Sequence, residues 1–183
     1  MDKQLISSLL LEKHQAFISK IAELSDRDFE RKPGKKWTSG QQLDHILKSV
    51  KQTDMAYGLP LFVLKGKFGV SNRPSATYDD LVKKYLKVLD NNRDYVLPER
   101  FAPKEIPIDG RQKALDKLQK LATKLSRRAQ RFSEKELDTY IIPHPVMGKL
   151  TLREMLYFTI YHVQHHDKQI LKNLNNHKNV TKS

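Results

Sequence analysis

The segment Tyr161–Ile170, which reads YHVQHHDKQI, carries three of the chain's seven histidines within one helical pattern. Apolar residues spaced three and four positions apart predict an amphipathic helix that runs from about Thr151 to about Asn175. The sequence TLRE at positions 151–154 matches the capping box that begins many helices. Such a helix must bury its apolar stripe against other elements, so the segment favours a fold of packed helices.

Three further long helical patterns precede this one. Glycine and proline are sparse within them and concentrate between them, which is typical of a mostly helical protein. Their approximate bounds are Lys3–Leu24, Thr38–Pro60 with Thr38 or Ser39 as N-cap, and Gly110–Phe132. A shorter helix at about Thr77–Asp90 lies in the long insertion between the second and third. We therefore predict an all-α protein, an antiparallel four-helix bundle with an extra short helix in its crossover.

Length and composition limit the class of protein. A chain of 183 residues suits one domain, which we place at residues 1–175, followed by a polar C-terminal tail at 176–183. The absence of cysteine excludes disulfides and thiolate metal sites. The N-terminal residues have neither the layout of a secretory signal nor the length of a membrane span. These features predict a cytoplasmic protein without a membrane partner.

The net charge of +13 raises the question of nucleic-acid binding. Lysines and arginines are spread along the chain, and aromatic residues are not interleaved with them as a single-strand binding surface requires. A solvated basic surface is the favoured interpretation, and association with nucleic acid is kept as an alternative.

The histidines of the last helix differ in their position relative to its apolar stripe. His166 falls inside the stripe, His162 on its edge and His165 well outside, counting about 100° per residue. Side chains at i and i+4 point together, so His162 and His166 can converge on one metal ion. They can equally be histidines that form hydrogen bonds at a helix interface, and the spacing alone leaves both open.

A third ligand would have to come from another part of the chain. His14 lies in the first apolar stripe and is expected in the core or at its boundary, whereas His177 is expected in solvent. His144 can flank a site or shape a turn. His45 points away from the stripe of its helix, which leaves a surface residue or a cleft ligand. In an antiparallel arrangement it would reach the same end of the bundle as His162 and His166.

The order of several short motifs resembles the DinB-like superfamily, also called DinB/YfiT-like. The resemblance extends from the first helix to about Leu174. The motifs are WTS at 37–39, HI at 45–46, HP at 144–145, GKLTL at 148–152, the pair His162 and His166, and QI at 169–170. It implies an up-down-down-up four-helix bundle, frequently a homodimer. It also implies a divalent metal, zinc or nickel, on His45, His162 and His166.

The resemblance implies a metal-dependent hydrolase or a thiol-dependent S-transferase that acts on a small molecule. Some members of the superfamily use bacillithiol, mycothiol or glutathione, so a low-molecular-weight thiol is a possible cofactor. No residue is assigned as a general base, because Asp44 and Asp167 are expected to face solvent or to form salt bridges. Gln169 is a candidate for supporting His162. The first alternative is a non-enzymatic metal-binding or stress-response dimer.

Overall fold

The computed structural model describes residues 1–34, 36–92, 99 and 101–180, with only the backbone described for 176–180. The described residues are mostly helical and contain one small antiparallel sheet. The helices are α1 (Lys3–Ala22), α2 (Asp26–Glu30), α3 (Ser39–Tyr57), α4 (Leu61–Phe68), α5 (Tyr78–Asn91), α6 (Arg111–Gln130), α7 (Glu134–Thr139) and α8 (Leu152–Val180). A 3₁₀ turn at Ile108–Gly110 precedes α6, and the strands are β1 (Ile141–His144) and β2 (Gly148–Thr151).

Two of the predicted helix starts, those of α3 and α8, have side-chain caps in the structure. The Thr38 hydroxyl accepts a hydrogen bond from the Gln41 amide at 3.0 Å, and the Gln41 side chain accepts one from the Thr38 amide at 3.0 Å. Thr151 and Glu154 form the same reciprocal pair at the start of α8, at 3.1 and 2.9 Å. Both capping boxes satisfy amides that a helix leaves unpaired at its first turn.

The helix ends differ from the prediction by a few residues. α1 ends at Ala22, before the predicted Leu24, and α6 ends at Gln130. α8 continues to Val180, so residues 176–180 of the predicted polar tail have a helical backbone. The last three residues of that tail, 181–183, lie outside the described residues, as do 97, 98 and 100 of the predicted loop before α6. The division into domain and tail stays a prediction.

Contacts at the helix ends give the relative directions of two helix pairs. Lys3 at the start of α1 donates from Nζ to the Phe132 carbonyl just after α6, at 3.1 Å. Tyr57 at the end of α3 donates its hydroxyl to the Leu152 carbonyl at the start of α8. α1 is therefore antiparallel to α6, and α3 is antiparallel to α8.

Two ion pairs relate the remaining neighbours. Arg128 near the end of α6 lies 2.9 Å from Asp54 near the end of α3, and Lys20 of α1 lies 2.6 Å from Asp167 of α8. Arg153 at the start of α8 also donates to the Met1 carbonyl just before α1, at 2.9 Å, so both helix pairs are parallel. α1 and α3 each pack against both α6 and α8, and the buried apolar side chains lie between them. Within the described ranges no helix is long and apolar enough to cross a membrane.

The hairpin of β1 and β2 was not predicted, nor were α2, α4 and α7. The segment from 141 to 151 reads as a loop because it contains two prolines, and its strands are only four residues long. Ile141 pairs with Thr151 and Ile142 with Leu150. Gly148 has a φ of +76°, which a glycine adopts without steric cost and which lets the chain reverse. The hairpin leads directly into α8.

The crossover between α4 and α5 is anchored to α8 through a buried carboxylate. Glu154 accepts two hydrogen bonds from Arg73 at 2.5 and 3.0 Å, and further ones from the Ala76 and Thr151 amides at 2.7 and 2.9 Å. Burial raises the pKa of Glu154, but the bonds from Arg73 and the two amides outweigh it, and the pKa stays below its ordinary value. The helix after this crossover, α5, begins at Tyr78, one residue after the predicted start at about Thr77, and Thr77 is its N-cap.

We expect Glu154→Gln to lower the free energy of unfolding at pH 7 by about 1–2 kcal/mol, since it removes the charged acceptor of a partly exposed arginine. Because the folded state depresses the Glu154 pKa, this contribution is present above the unfolded pKa and is lost as the pH falls through the folded one. Urea denaturation at pH 7 and pH 3 should therefore give a smaller difference at pH 3.

The matched control is Glu12→Gln, which neutralises an exposed carboxylate whose one ion-pair partner among the described residues is its neighbour Lys13. It should change stability by less than about 0.5 kcal/mol at either pH. An equal effect of both substitutions would contradict the anchoring role of Glu154.

Candidate metal centre

Three histidine rings meet between α3 and α8. His45 comes from the second turn of α3, and His162 and His166 lie one turn apart on α8. The Nε2 atom of His162 is 3.2 Å from that of His45 and 3.0 Å from that of His166. All three side chains are buried. The structure thus brings together the three residues selected from the sequence, as a group able to hold a metal ion.

The outer nitrogens of two of these rings have oxygen partners. Nδ1 of His45 lies 2.9 Å from the Phe101 carbonyl oxygen, and Nδ1 of His166 is bonded to the side-chain oxygen Oε1 of Gln42. An oxygen of this kind only accepts, so in both rings Nδ1 must carry the hydrogen. Nε2 of His45 and of His166 then each present a lone pair towards His162.

The three rings cannot satisfy one another completely. A neutral His162 has at most one hydrogen on Nε2, which can bond to His45 or to His166 but not to both. A cation accepts all three lone pairs at once. Imidazole binds zinc at about 2.0–2.1 Å, which places tetrahedral ligand nitrogens about 3.3 Å apart. The two observed separations are close to that value, so the residues fit a divalent ion.

The protonation state of the trio also suits a cation. Burial lowers the pKa of His162 far below its ordinary value, and the neighbouring rings of His166 and His45 lower it further. Burial has the same effect on His166. It lowers the pKa of His45 as well, although the hydrogen bond to Phe101 opposes the change. Neutral imidazole is the form that binds metals.

Aromatic side chains hold the three rings in place. Trp37 stacks on His166 with ring centroids 6.0 Å apart and planes 4° apart, and its centroid lies 5.1 Å from that of His45. Phe158 stacks on His162 at 4.7 Å. These contacts limit rotation of the rings and keep the surroundings of the trio apolar.

A cavity of about 540 Å³ borders the trio through His45 and His162. Its wall is mostly apolar and is formed by α3, α4, α5, α8 and the hairpin, with His14 contributed by α1. Of the described residues that line it, only Lys67 carries a formal charge. The cavity therefore suits a small molecule with a largely apolar body.

The remaining histidines have other surroundings. Nδ1 of His144 accepts hydrogen bonds from the Val146 and Met147 amides, both at 3.2 Å, so this residue shapes the hairpin turn while lining the cavity. His14 is fully buried, in agreement with its predicted core position. His165 is not part of the trio. The side chain of His177 lies outside the described residues.

The carboxylates next to the ligand positions form ion pairs, as predicted. Asp44 lies 2.7 Å from Lys48 and accepts a hydrogen bond from the Lys104 amide, and Asp167 pairs with Lys20. Neither is arranged as a general base for the trio.

The residue that supports the trio differs from the prediction. Gln42 accepts a hydrogen bond from His166, whereas Gln169 was predicted to support His162. Gln42 lies three residues before His45 and so shares its helical face, a local signal that the sequence does contain. Its partner is on another helix, which the sequence does not show.

The comparison with protein families gives a match that covers most of the chain. The family model of the DinB superfamily matches residues 10–170, a range that includes all three histidines. No significant match was found among curated proteins or among solved structures.

We expect Gln42→Leu to weaken zinc binding by about 10- to 100-fold, because His166 would lose the acceptor that fixes its tautomer and orientation. Competition with a chromophoric chelator measures the affinity. The matched control is Gln169→Leu on α8, for which we expect an unchanged affinity. A greater loss in the control than in Gln42→Leu would restore Gln169 as the supporting residue and contradict the role given to Gln42.

Proposed function

The chain belongs to the DinB superfamily, and we propose that it is a metal-dependent enzyme acting on a small molecule bound in the cavity beside His45 and His162. The observation that carries the proposal is the convergence of the three Nε2 atoms at one edge of that cavity. The histidine trio and the apolar cavity share the residues His45 and His162. This favours a catalytic metal site over a purely structural one.

We assign His45, His162 and His166 as the ligands of one divalent cation, zinc or nickel. Imidazole suits both metals, so the ligand set does not choose between them. Three protein ligands leave further coordination positions open, which is the arrangement of catalytic rather than structural zinc sites. Since His45 and His162 line the cavity, a substrate in it would lie beside residues that would hold the ion.

A cation held by three neutral imidazoles lowers the pKa of a bound water or thiol and so supplies a nucleophile near neutral pH. Hydrolysis and thiol transfer are the two reactions this supports. Because the chain has no cysteine, the thiol for a transfer must come from a low-molecular-weight cofactor or from the substrate.

The residues of the chain would bind and orient the substrate. The apolar wall takes up its body, and Trp37 and Phe158 exclude water from the ligand rings. Tyr85 also lines the cavity, and burial raises its pKa, so its hydroxyl keeps its proton. It is available to donate a hydrogen bond to an oxygen of the substrate.

We also propose that the four long helices form an up-down-down-up bundle. The helix directions support this arrangement. α1 is antiparallel to α6 and α3 is antiparallel to α8, whereas α3 is parallel to α6 and α1 is parallel to α8. The homodimer, the cytoplasmic location and the thiol cofactor stay predictions from the sequence.

We expect the untagged wild-type protein to contain about one zinc or nickel ion per chain after purification, or after dialysis against either metal. His45→Ala and His166→Ala should each reduce the content to near zero, because the two remaining imidazoles hold the ion weakly. Inductively coupled plasma mass spectrometry measures the content, and circular dichroism verifies that the variants stay helical.

His165→Ala is the matched control, since it removes a histidine of the same helix whose ring lies beside that of His166, with centroids 5.4 Å apart, but which is not one of the three ligands. It should retain the metal. A wild-type protein that takes up neither metal, or a loss in the control equal to that in the ligand variants, would contradict the proposed centre.

A further inference from the structure

His14 is a buried polar residue in a wall that is otherwise mostly apolar. It lies in the middle of α1, has no exposed surface and forms part of the cavity. Its Nδ1 atom is 2.7 Å from the Leu10 carbonyl oxygen, one turn earlier on the same helix. That oxygen only accepts, so Nδ1 carries the hydrogen and Nε2 has a free lone pair. Nε2 is on the side of the ring that faces away from this bond.

Nε2 of His14 has no hydrogen-bond partner among the described residues. Burying a polar atom without a partner is destabilising, and such atoms in native proteins often belong to a binding site. Burial also lowers the pKa of His14 to about 4, against the raising effect of its bond to Leu10, so the ring is neutral at physiological pH. Its Nε2 atom is therefore a hydrogen-bond acceptor within a residue that lines the cavity.

Three hydroxyl groups that line the same cavity are already bonded to their own helices. The hydroxyl of Ser49 donates to the His45 carbonyl at 2.9 Å, and that of Thr53 to the Ser49 carbonyl at 3.1 Å. The hydroxyl of Thr159 donates to the Met155 carbonyl at 2.7 Å. These three hydroxyls already have acceptors on their own helices, whereas Nε2 of His14 lacks a donor among the described residues.

We propose that His14 is a substrate-binding residue that selects a small, largely apolar molecule carrying an N–H or O–H donor on its body. The donor bonds to Nε2 of His14 while the reacting group lies at His45 and His162. A carbonyl or carboxylate in the same position would place its lone pairs against that of Nε2 and is rejected. Only the location of the reacting group rests on the proposed function; the preference for a donor depends on His14 alone.

The test compares two probes of nearly equal shape, indole and indene, which differ in that indole has an N–H group. Isothermal titration calorimetry is performed on the full-length protein, both metal-free and zinc-loaded. We expect the wild type to bind indole about two- to tenfold more tightly than indene, the range that one neutral hydrogen bond supplies. The Nε2 resonance of His14 in ¹⁵N NMR should shift on addition of indole and not of indene.

Three variants separate the hydrogen bond from packing. His14→Leu has a similar volume and no acceptor, so it should bind both probes with equal affinity. His14→Gln retains an acceptor oxygen and should restore part of the preference. Thr159→Val removes a wall hydroxyl that is already bonded to its own helix, and it should leave the wild-type preference unchanged.

Equal binding of the two probes to the wild type, or an indole preference that survives in His14→Leu, would overturn the proposal. So would the failure of both probes to bind, since the cavity would then not admit a ligand of this class. The two proposals fail separately. An indole preference in protein that takes up no metal would sustain the role of His14 and reject the metal centre.

Discussion

The centre of this protein depends on one constraint: the Nε2 atoms of three buried histidines face one another. Together these atoms carry at most one hydrogen, so they cannot all be satisfied by bonds among themselves. The carbonyl of Phe101 and the side chain of Gln42 fix the hydrogens on the far side of two rings, so the lone pairs must face inward. Such a group is stable in an apolar interior only with a cation or at a cost in free energy. The lowered pKa values of the three histidines also favour a bound cation, because they keep the rings in the neutral form that binds metals.

The helix framework holds these rings in register. α3 and α8 are antiparallel, and the contact from Tyr57 to Leu152 fixes one end of the pair. A slip of one helical turn would move a ligand by about 5.4 Å and separate the nitrogens. The long helices and their caps could be predicted because periodicity and capping are local properties. The hairpin before α8 could not, since its short strands become stable only by pairing with each other and packing on the helices.

Parts of the site could be predicted where the sequence pattern is local, or where it matches the pattern of the DinB superfamily. The spacing of His162 and His166 is local, whereas the choice of His45 rested on the helix direction and on the resemblance to the DinB superfamily. The hydrogen bond between Gln42 and His166 joins residues 124 positions apart, and no local sequence pattern relates residues at that separation. That Nε2 of His14 lacks a partner among the described residues is likewise known only from the structure, as is the cavity that His14 lines.

The most direct test of the metal centre is extended X-ray absorption fine structure at the zinc edge of the zinc-loaded protein. The account predicts three imidazole nitrogens at about 2.0–2.1 Å, with the outer-shell scattering typical of histidine, and at least one further light ligand from solvent. A first shell of oxygen atoms without imidazole scattering would contradict it. The zinc would then be bound at surface carboxylates, and the histidine trio would have no part in holding it.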